Sequence, residues 1–201
     1  MRECHATGAA RRASRDGVSD CDRVAQASGA FLYFAYGSNM GSRRLRAPDR
    51  APSARRVAIG RVSGYRLTFD KVGRLDGSGK CDCEWTGRTA GAGADHVWGV
   101  VWRIAVAERA ALDRVEGEGS GYRRARVVVQ TDAGPMAADT YLATTKAPAL
   151  EPFDWYLNHV LEGAIEAGLP AGWIDAIRSV GARVDPDGER ARREWAIHAA
   201  P

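Results

Sequence analysis

The run Val97-Trp98-Gly99-Val100-Val101-Trp102-Arg103-Ile104 is the strongest strand signal in the chain. It is continuous, β-branched and aromatic, without the alternation of a strand that has one wet face, so it reads as a strand buried on both faces. A strand of that kind needs other structure over each side. The 201 residues suit one domain with enough mass to bury a core without disulfide or metal staples. A content of 45% hydrophobic and 27% charged residues is that of a soluble globular protein. Cys4, Cys21, Cys81 and Cys83 make no disulfide framework, which fits a reducing compartment. No apolar run approaches the roughly 18 residues of a membrane span, and the arginine-bearing N-terminal segment lacks the apolar core of a secretory signal. The expected location is the cytoplasm.

A second stretch is sharper in its consequences. Phe31-Leu32-Tyr33-Phe34-Ala35 reads as a buried strand, Tyr36-Gly37-Ser38-Asn39 as a tight turn, and Met40 to Arg46 as a short helix begun by capping residues. Backbone N–H groups at a helix start lack partners within the helix, carry partial positive charge and converge on whatever lies in front of them. Such a turn can hold an anion, and Gly37 allows close approach because it has no Cβ.

The rest of the chain alternates strands and helices around these two runs. Residues 1 to 29 show no period of 2 or 3.6 and read as a disordered leader, with the folded domain over 30 to 184 and a charged tail over 185 to 201. Arg55 to Phe69 reads as one long or two short strands about Ser63-Gly64, followed by a glycine-rich loop from Asp70 to Lys80. Ala107 to Val115 favours helix, ended by glycines at 117, 119 and 121, which places Glu116 at its exit. Tyr122 to Gln130 alternates, with Ala125, Val127 and Val129 on one face and Arg124, Arg126 and Val128 on the other, and Met136 to Thr144 is the expected hairpin partner. Phe153, Tyr156, Leu157, Val160, Leu161, Ala164 and Ile165 form a helical stripe, and Trp173, Ile174, Ile177 and Val180 a shorter one after Leu169-Pro170.

Several tempting readings fail on the residues. The net charge of +4 is uneven: residues 1 to 80 carry 16 Lys and Arg against 7 Asp and Glu, and the remainder 13 against 18. The arginines are scattered and no helix-turn-helix, zinc-finger or RNP signature accompanies them, so a solvated surface is the better reading than nucleic-acid binding. The loop Gly73-Arg74-Leu75-Asp76-Gly77-Ser78-Gly79-Lys80-Cys81 departs from a phosphate-binding P-loop: Arg74 and Cys81 stand where a glycine and a hydroxyl are needed. Cys81 and Cys83 with Glu84 and His96 make a weak zinc pattern that lacks a second matching pair, so no metal is expected.

Phe34-Ala35-Tyr36-Gly37-Ser38-Asn39-Met40 resembles the opening signature of the γ-glutamylcyclotransferase family. The likeness continues, in the family's order, through Val97 to Trp102, Leu112-Asp113-Arg114-Val115-Glu116-Gly117, Tyr122, Thr140-Tyr141-Leu142 and the helical end Gly163-Ala164 to Gly168-Leu169-Pro170. The Gly-Gly-containing strand expected before Val97 is poorly matched by Trp85-Thr86-Gly87-Arg88-Thr89-Ala90. The resemblance implies an α+β fold, a single mixed domain built as a small twisted, mostly antiparallel β-barrel flanked by helices. It also implies cyclisation of a γ-glutamyl amide to 5-oxoproline with no cofactor, Glu116 as catalytic acid and base, and Tyr36, Gly37, Ser38, Asn39, Tyr122 and Tyr141 as substrate-binding residues. The turn would bind either the substrate's α-carboxylate or the oxyanion formed at the γ-carbonyl.

The expected partner is a small γ-glutamyl molecule, with no nucleic acid and no membrane, and a homodimer stays open. Asn39 favours γ-glutamyl amino acids over the substrates of glutathione-specific relatives, which carry Tyr-Gly-Ser-Leu, and of γ-glutamylamine cyclotransferases, which carry Tyr-Gly-Thr-Leu. Two alternatives remain open, a biosynthetic enzyme that removes a γ-glutamyl group from a larger amine and a non-catalytic relative that binds small acidic ligands.

Overall fold

The computed structural model describes residues 29–199. The leader reading over 1 to 29 therefore falls, apart from Gly29, outside the described residues. The strands are β1 (Ala30–Ala35), β2 (Arg55–Ser63), β3 (Tyr65–Val72), β4 (Gly79–Trp85), β5 (His96–Ala105), β6 (Tyr122–Thr131) and β7 (Gly134–Ala143). Five of them close a barrel in the order β1-β5-β2-β6-β7, and β3 with β4 forms a separate two-stranded sheet. Every pairing in the barrel is antiparallel except the seam, where β7 meets β1 in parallel at Tyr33 and Asp139. The expected α+β domain with a mostly antiparallel barrel is the observed architecture.

The residue patterns explain the barrel. Val97, Val100, Val101, Trp102 and Ile104 of β5 are all buried, flanked by β1 and β2, as a run without a polar face requires. In β6, Val127 and Val129 face inward while Arg124, Arg126 and Val128 are exposed, the alternation of a strand with one wet face. Arg55 to Phe69 resolves into two strands, with Gly64 between them at φ +81°.

The glycine-rich segment is shorter than its composition suggests. β3 runs on to Val72 and β4 begins at Gly79, so the strand before Val97 lies at Gly79–Trp85 and not at 85 to 90. Asp82 hides this strand, because its carboxylate points inward and is answered there: it accepts from the Ala143 N–H at 2.8 Å and pairs with Lys146 at 3.0 Å. Cys81 and Cys83 are buried free thiols of β4, and among the described residues no group of three or more His, Cys, Asp or Glu converges to hold a metal.

Helices α1 (Ser42–Leu45), α2 (Arg109–Glu116), α3 (Asp154–Ala167), α4 (Ala171–Arg178) and α5 (Gly188–Ala196) complete the domain, and none is long and apolar enough to cross a membrane. The expected helix from Met40 to Arg46 divides into a 3-10 turn over Ser38–Met40 and α1. The α3 stripe also differs. Trp155, His159 and Gly163 are on the buried face, whereas Ile165 is 46% exposed.

Gly163 is where α3 meets Met40 and Gly41, the residues directly after the Tyr36 to Asn39 turn. A Cβ there would lie 2.5 Å from the Gly41 nitrogen and 2.9 Å from Met40 Cβ, so only glycine lets the helix seat on the backbone of the turn. Gly163→Ala is expected to destabilise the fold by about 1 to 3 kcal/mol through overpacking. That is a fall in melting temperature of roughly 2 to 12 °C for a chain of this size. An unchanged melting temperature would show that α3 does not buttress the turn.

The segment read as an exposed charged tail is docked. Asp185 is buried, accepts from Trp155 Nε1 at 2.8 Å and pairs with Arg190, whose guanidinium holds the carboxyl well below the usual range. Glu194 of α5 pairs with Arg44 at 2.9 Å and accepts from His159 at 2.9 Å. Burial pushes the His159 ring down to about 4, so it is neutral at pH 7 and donates from Nε2.

Candidate active site

Glu116 is the last residue of α2, and Gly117 at φ +71° turns the chain sharply away, a left-handed C-cap that a side chain would strain. The half-buried carboxylate is thereby held facing the 3-10 turn that follows β1. Its Oε1 accepts from Asn39 Nδ2 in a short hydrogen bond and from the Tyr33 hydroxyl at 3.5 Å. Arg50 Nη1 donates to Asn39 Oδ1 at 3.3 Å, and a cation on one side with a carboxylate on the other fixes which way the amide points.

The turn itself behaves as its residues predict. Met40 N–H bonds the Gly37 carbonyl at 3.0 Å, and among the described residues no backbone acceptor engages the N–H groups of Gly37, Ser38 or Asn39. Gly37 has a further duty toward the protein: a Cβ there would sit 3.0 Å from Cys81 Cβ, so its small size lets the turn pack on β4. Burial pushes the Cys81 thiol up to about 12, which leaves it protonated and unreactive at neutral pH.

Tyr36, Gly37, Ser38, Asn39, Glu116, Tyr122 and Tyr141 line one narrow pocket, so the structure brings all the expected site residues together. Three residues that were not singled out, Tyr33, Cys81 and Tyr156, complete it. The tyrosines are engaged with the protein. Tyr36 donates to the Tyr141 carbonyl at 2.5 Å, Tyr122 to the Cys81 carbonyl at 2.6 Å, and Tyr141 to Asp113 Oδ1 at 2.6 Å. Their oxygens therefore have only lone pairs left for a ligand. Burial raises the pKa of each, which keeps those protons in place.

Burial raises the Glu116 pKa above the ordinary carboxylate value, while the nearby charges of Arg50, Arg44 and Lys71 and the Tyr33 hydrogen bond pull against it. The Glu116 carboxylate stands where the inner pocket opens into a wider cleft that also reaches Lys71, Arg74 and Arg114. Asp113 could have been found from sequence, since it lies three residues before Glu116 on one helix. Tyr33 and Arg50 carry no such local signal, because their partners are reached through the fold.

Comparison with known proteins agrees in both sequence and shape. Residues 96–177 match the model of the AIG2-like family. The chain is 34% identical over 168 residues to a γ-glutamylcyclotransferase of Mus musculus, covering 81% of this chain and 85% of that one. It is 33% identical over 156 residues to a γ-glutamylcyclotransferase of Homo sapiens, covering 75% and 79%. A solved structure of a γ-glutamyl cyclotransferase superposes with a TM-score of 0.69 at 28% identity, over 82% of this chain and 99% of the other.

Proposed function

The chain belongs to the γ-glutamylcyclotransferase family, and on that premise we propose that it converts a γ-glutamyl amino acid to 5-oxoproline and the free amino acid, with Glu116 as the acid and base. The observation that carries this reading is the half-buried Glu116 carboxylate, aimed by Asn39 and Tyr33 at the pocket that the turn closes.

The donors and acceptors of the pocket sort the glutamyl group. Its α-ammonium needs acceptors, which Glu116 and the tyrosine oxygens supply, and the turn's free N–H groups suit an anion. Glu116 takes a proton from the ammonium, and the freed amine attacks the γ-carbonyl carbon. The carbonyl oxygen becomes an oxyanion within reach of donors in the turn. Attack leaves a second proton on the ring nitrogen; as the C–N bond to the amino acid breaks, Glu116 gives its first proton to the departing nitrogen, then takes the second and passes it to the released amine, so the ammonium charge ends on the free amino acid. No water enters the products. Tyr36 and Tyr141 act in this scheme through their oxygens and through the shape they give the pocket, as does Tyr122.

The raised pKa of Glu116 has a visible consequence. Only its ionised form can take the proton, so kcat/KM should fall on the acid side with a midpoint above the ordinary carboxylate range near 4.3. Asn39→Asp would replace a donor to Glu116 by a like charge and move that midpoint upward by about one unit or more. A limb that lies at the ordinary value, and that Asn39→Asp leaves in place, would mean that Glu116 is not the titrating base.

Incubation with γ-glutamyl-alanine and related compounds, followed by measurement of 5-oxoproline, tests the proposed reaction. Failure of every γ-glutamyl amino acid to react would remove it. A cytoplasmic site of action belongs to the same reading and is supported by the two buried free thiols, which suit a reducing compartment.

A further inference from the structure

The inner pocket and the outer cleft differ in charge. No Lys or Arg lines the inner pocket, whereas seven line the outer cleft against three carboxylates. Some of the seven are neutralised within the fold. Arg44 is paired with Glu194 at 2.9 Å, Lys80 with Asp76 at 2.8 Å, and Arg190 with Asp185.

Lys71 and Arg74 are not. Lys71 is only 5% exposed, yet among the described residues it has no ion pair and no hydrogen-bond acceptor, and its ammonium rests 4.7 Å from the centre of the Tyr122 ring. Glu116 acts on this ammonium only through space, without a direct ion pair, so a ligand that brings a carboxylate into contact with it is favoured. Arg74, exposed on the loop between β3 and β4, reaches over Gly117: a Cβ on that glycine would lie 2.9 Å from Arg74 Nη1. Among the described residues it too forms no ion pair. Both cations line the outer cleft together with Glu116, and neither lines the inner pocket.

Resting on the placement of the glutamyl group in the inner pocket, we propose that the outer cleft receives the departing amino acid and selects those with an acidic side chain, Lys71 and Arg74 binding its carboxylates. The preferred substrate class is then a γ-glutamyl derivative of aspartate or glutamate, cleaved to 5-oxoproline and the acidic amino acid by the same proton transfers. Every γ-glutamyl amino acid brings one carboxylate on the amine side. Among the described residues Arg50 and Arg114 form no ion pair either, and with Lys71 and Arg74 in the same cleft this excess of positive charge rewards a second.

The test compares γ-glutamyl-aspartate, γ-glutamyl-asparagine and α-linked γ-glutamyl-lysine on the full chain at low and at moderate salt, reading 5-oxoproline. Aspartate and asparagine have nearly the same shape and differ in charge, so their ratio isolates electrostatics. The aspartate compound should exceed the asparagine compound in kcat/KM by about tenfold, with the lysine compound below both and the differences shrinking as salt rises. Lys71→Met and Arg74→Ala should each lower the aspartate to asparagine ratio several-fold. Arg74 is on an exposed loop, so its variant serves even where loss of Lys71 disturbs the fold. Equal kcat/KM for the aspartate and asparagine compounds, or a ratio that Arg74→Ala does not change, overturns the proposal and leaves the proposed reaction standing. Absence of 5-oxoproline from all three compounds overturns the proposal alone where γ-glutamyl-alanine reacts, and both readings where no γ-glutamyl amino acid does.

Discussion

Glu116→Gln is expected to leave the protein folded and nearly inactive. Glutamine keeps the length of the side chain and can still bond Asn39 through its oxygen, with Gly117 and α2 undisturbed. What it lacks is a carboxylate that can take up a proton and give it back. Removal of a general acid or base typically costs on the order of 10² to 10⁴ in rate, and here one carboxylate serves as both, so the loss should fall toward the upper end. Steady-state kinetics on γ-glutamyl-alanine, with a melting curve to establish folding, would read it. A folded variant that keeps more than about a tenth of wild-type turnover lies well outside that range and would take Glu116 out of the chemistry.

An equally large effect is expected from the substrate side. Acetylation of the α-amine of γ-glutamyl-alanine should abolish turnover, because the nitrogen that must attack the γ-carbonyl becomes an amide with its lone pair delocalised. The change also removes the positive charge that Glu116 and the tyrosine oxygens are placed to receive. Inhibition by the acetylated compound would report its residual binding separately from chemistry. Release of alanine from it at a rate near that of the parent compound would show that the free amine is not the nucleophile.

Much of this arrangement is legible in the sequence because it is local. The strand, turn and 3-10 helix from Phe31 to Met40 are carried by ten consecutive residues, and Glu116 and its Gly117 cap by the end of a single helix. A continuous β-branched and aromatic run places β5, and a period of 2 places the two faces of β6. β4 escapes, since its alternation is broken by an inward carboxylate, Asp82, whose partners Ala143 and Lys146 are about sixty residues away. The docking of α5 escapes for the same reason: Asp185, Arg190 and Glu194 look like a solvated charge run until Trp155, Arg44 and His159 are brought against them.

The site divides along the same line. The expected residues Tyr36 to Asn39, Glu116, Tyr122 and Tyr141 were found through ordered motifs, whereas Tyr33 and Arg50 enter through contacts that close only when β1 meets α2 and the segment after α1. Lys71 was hidden within a strand end read as a loop. Its position at the cleft depends on β3 continuing to Val72. Alternation and capping report what a residue does to its neighbours in sequence, and a site assembled from seven elements exceeds that range.

The central claim is that the γ-glutamyl bond is broken by the substrate's own amine, not by water. The most direct measurement is turnover of γ-glutamyl-alanine in water enriched with oxygen-18, with mass analysis of the products. The account predicts one 5-oxoproline for each alanine released, carrying no solvent oxygen, and no free glutamate. Oxygen-18 in the product, or labelled glutamate in step with alanine, would mean that water attacks the γ-carbonyl and would contradict the cyclisation assigned to Glu116.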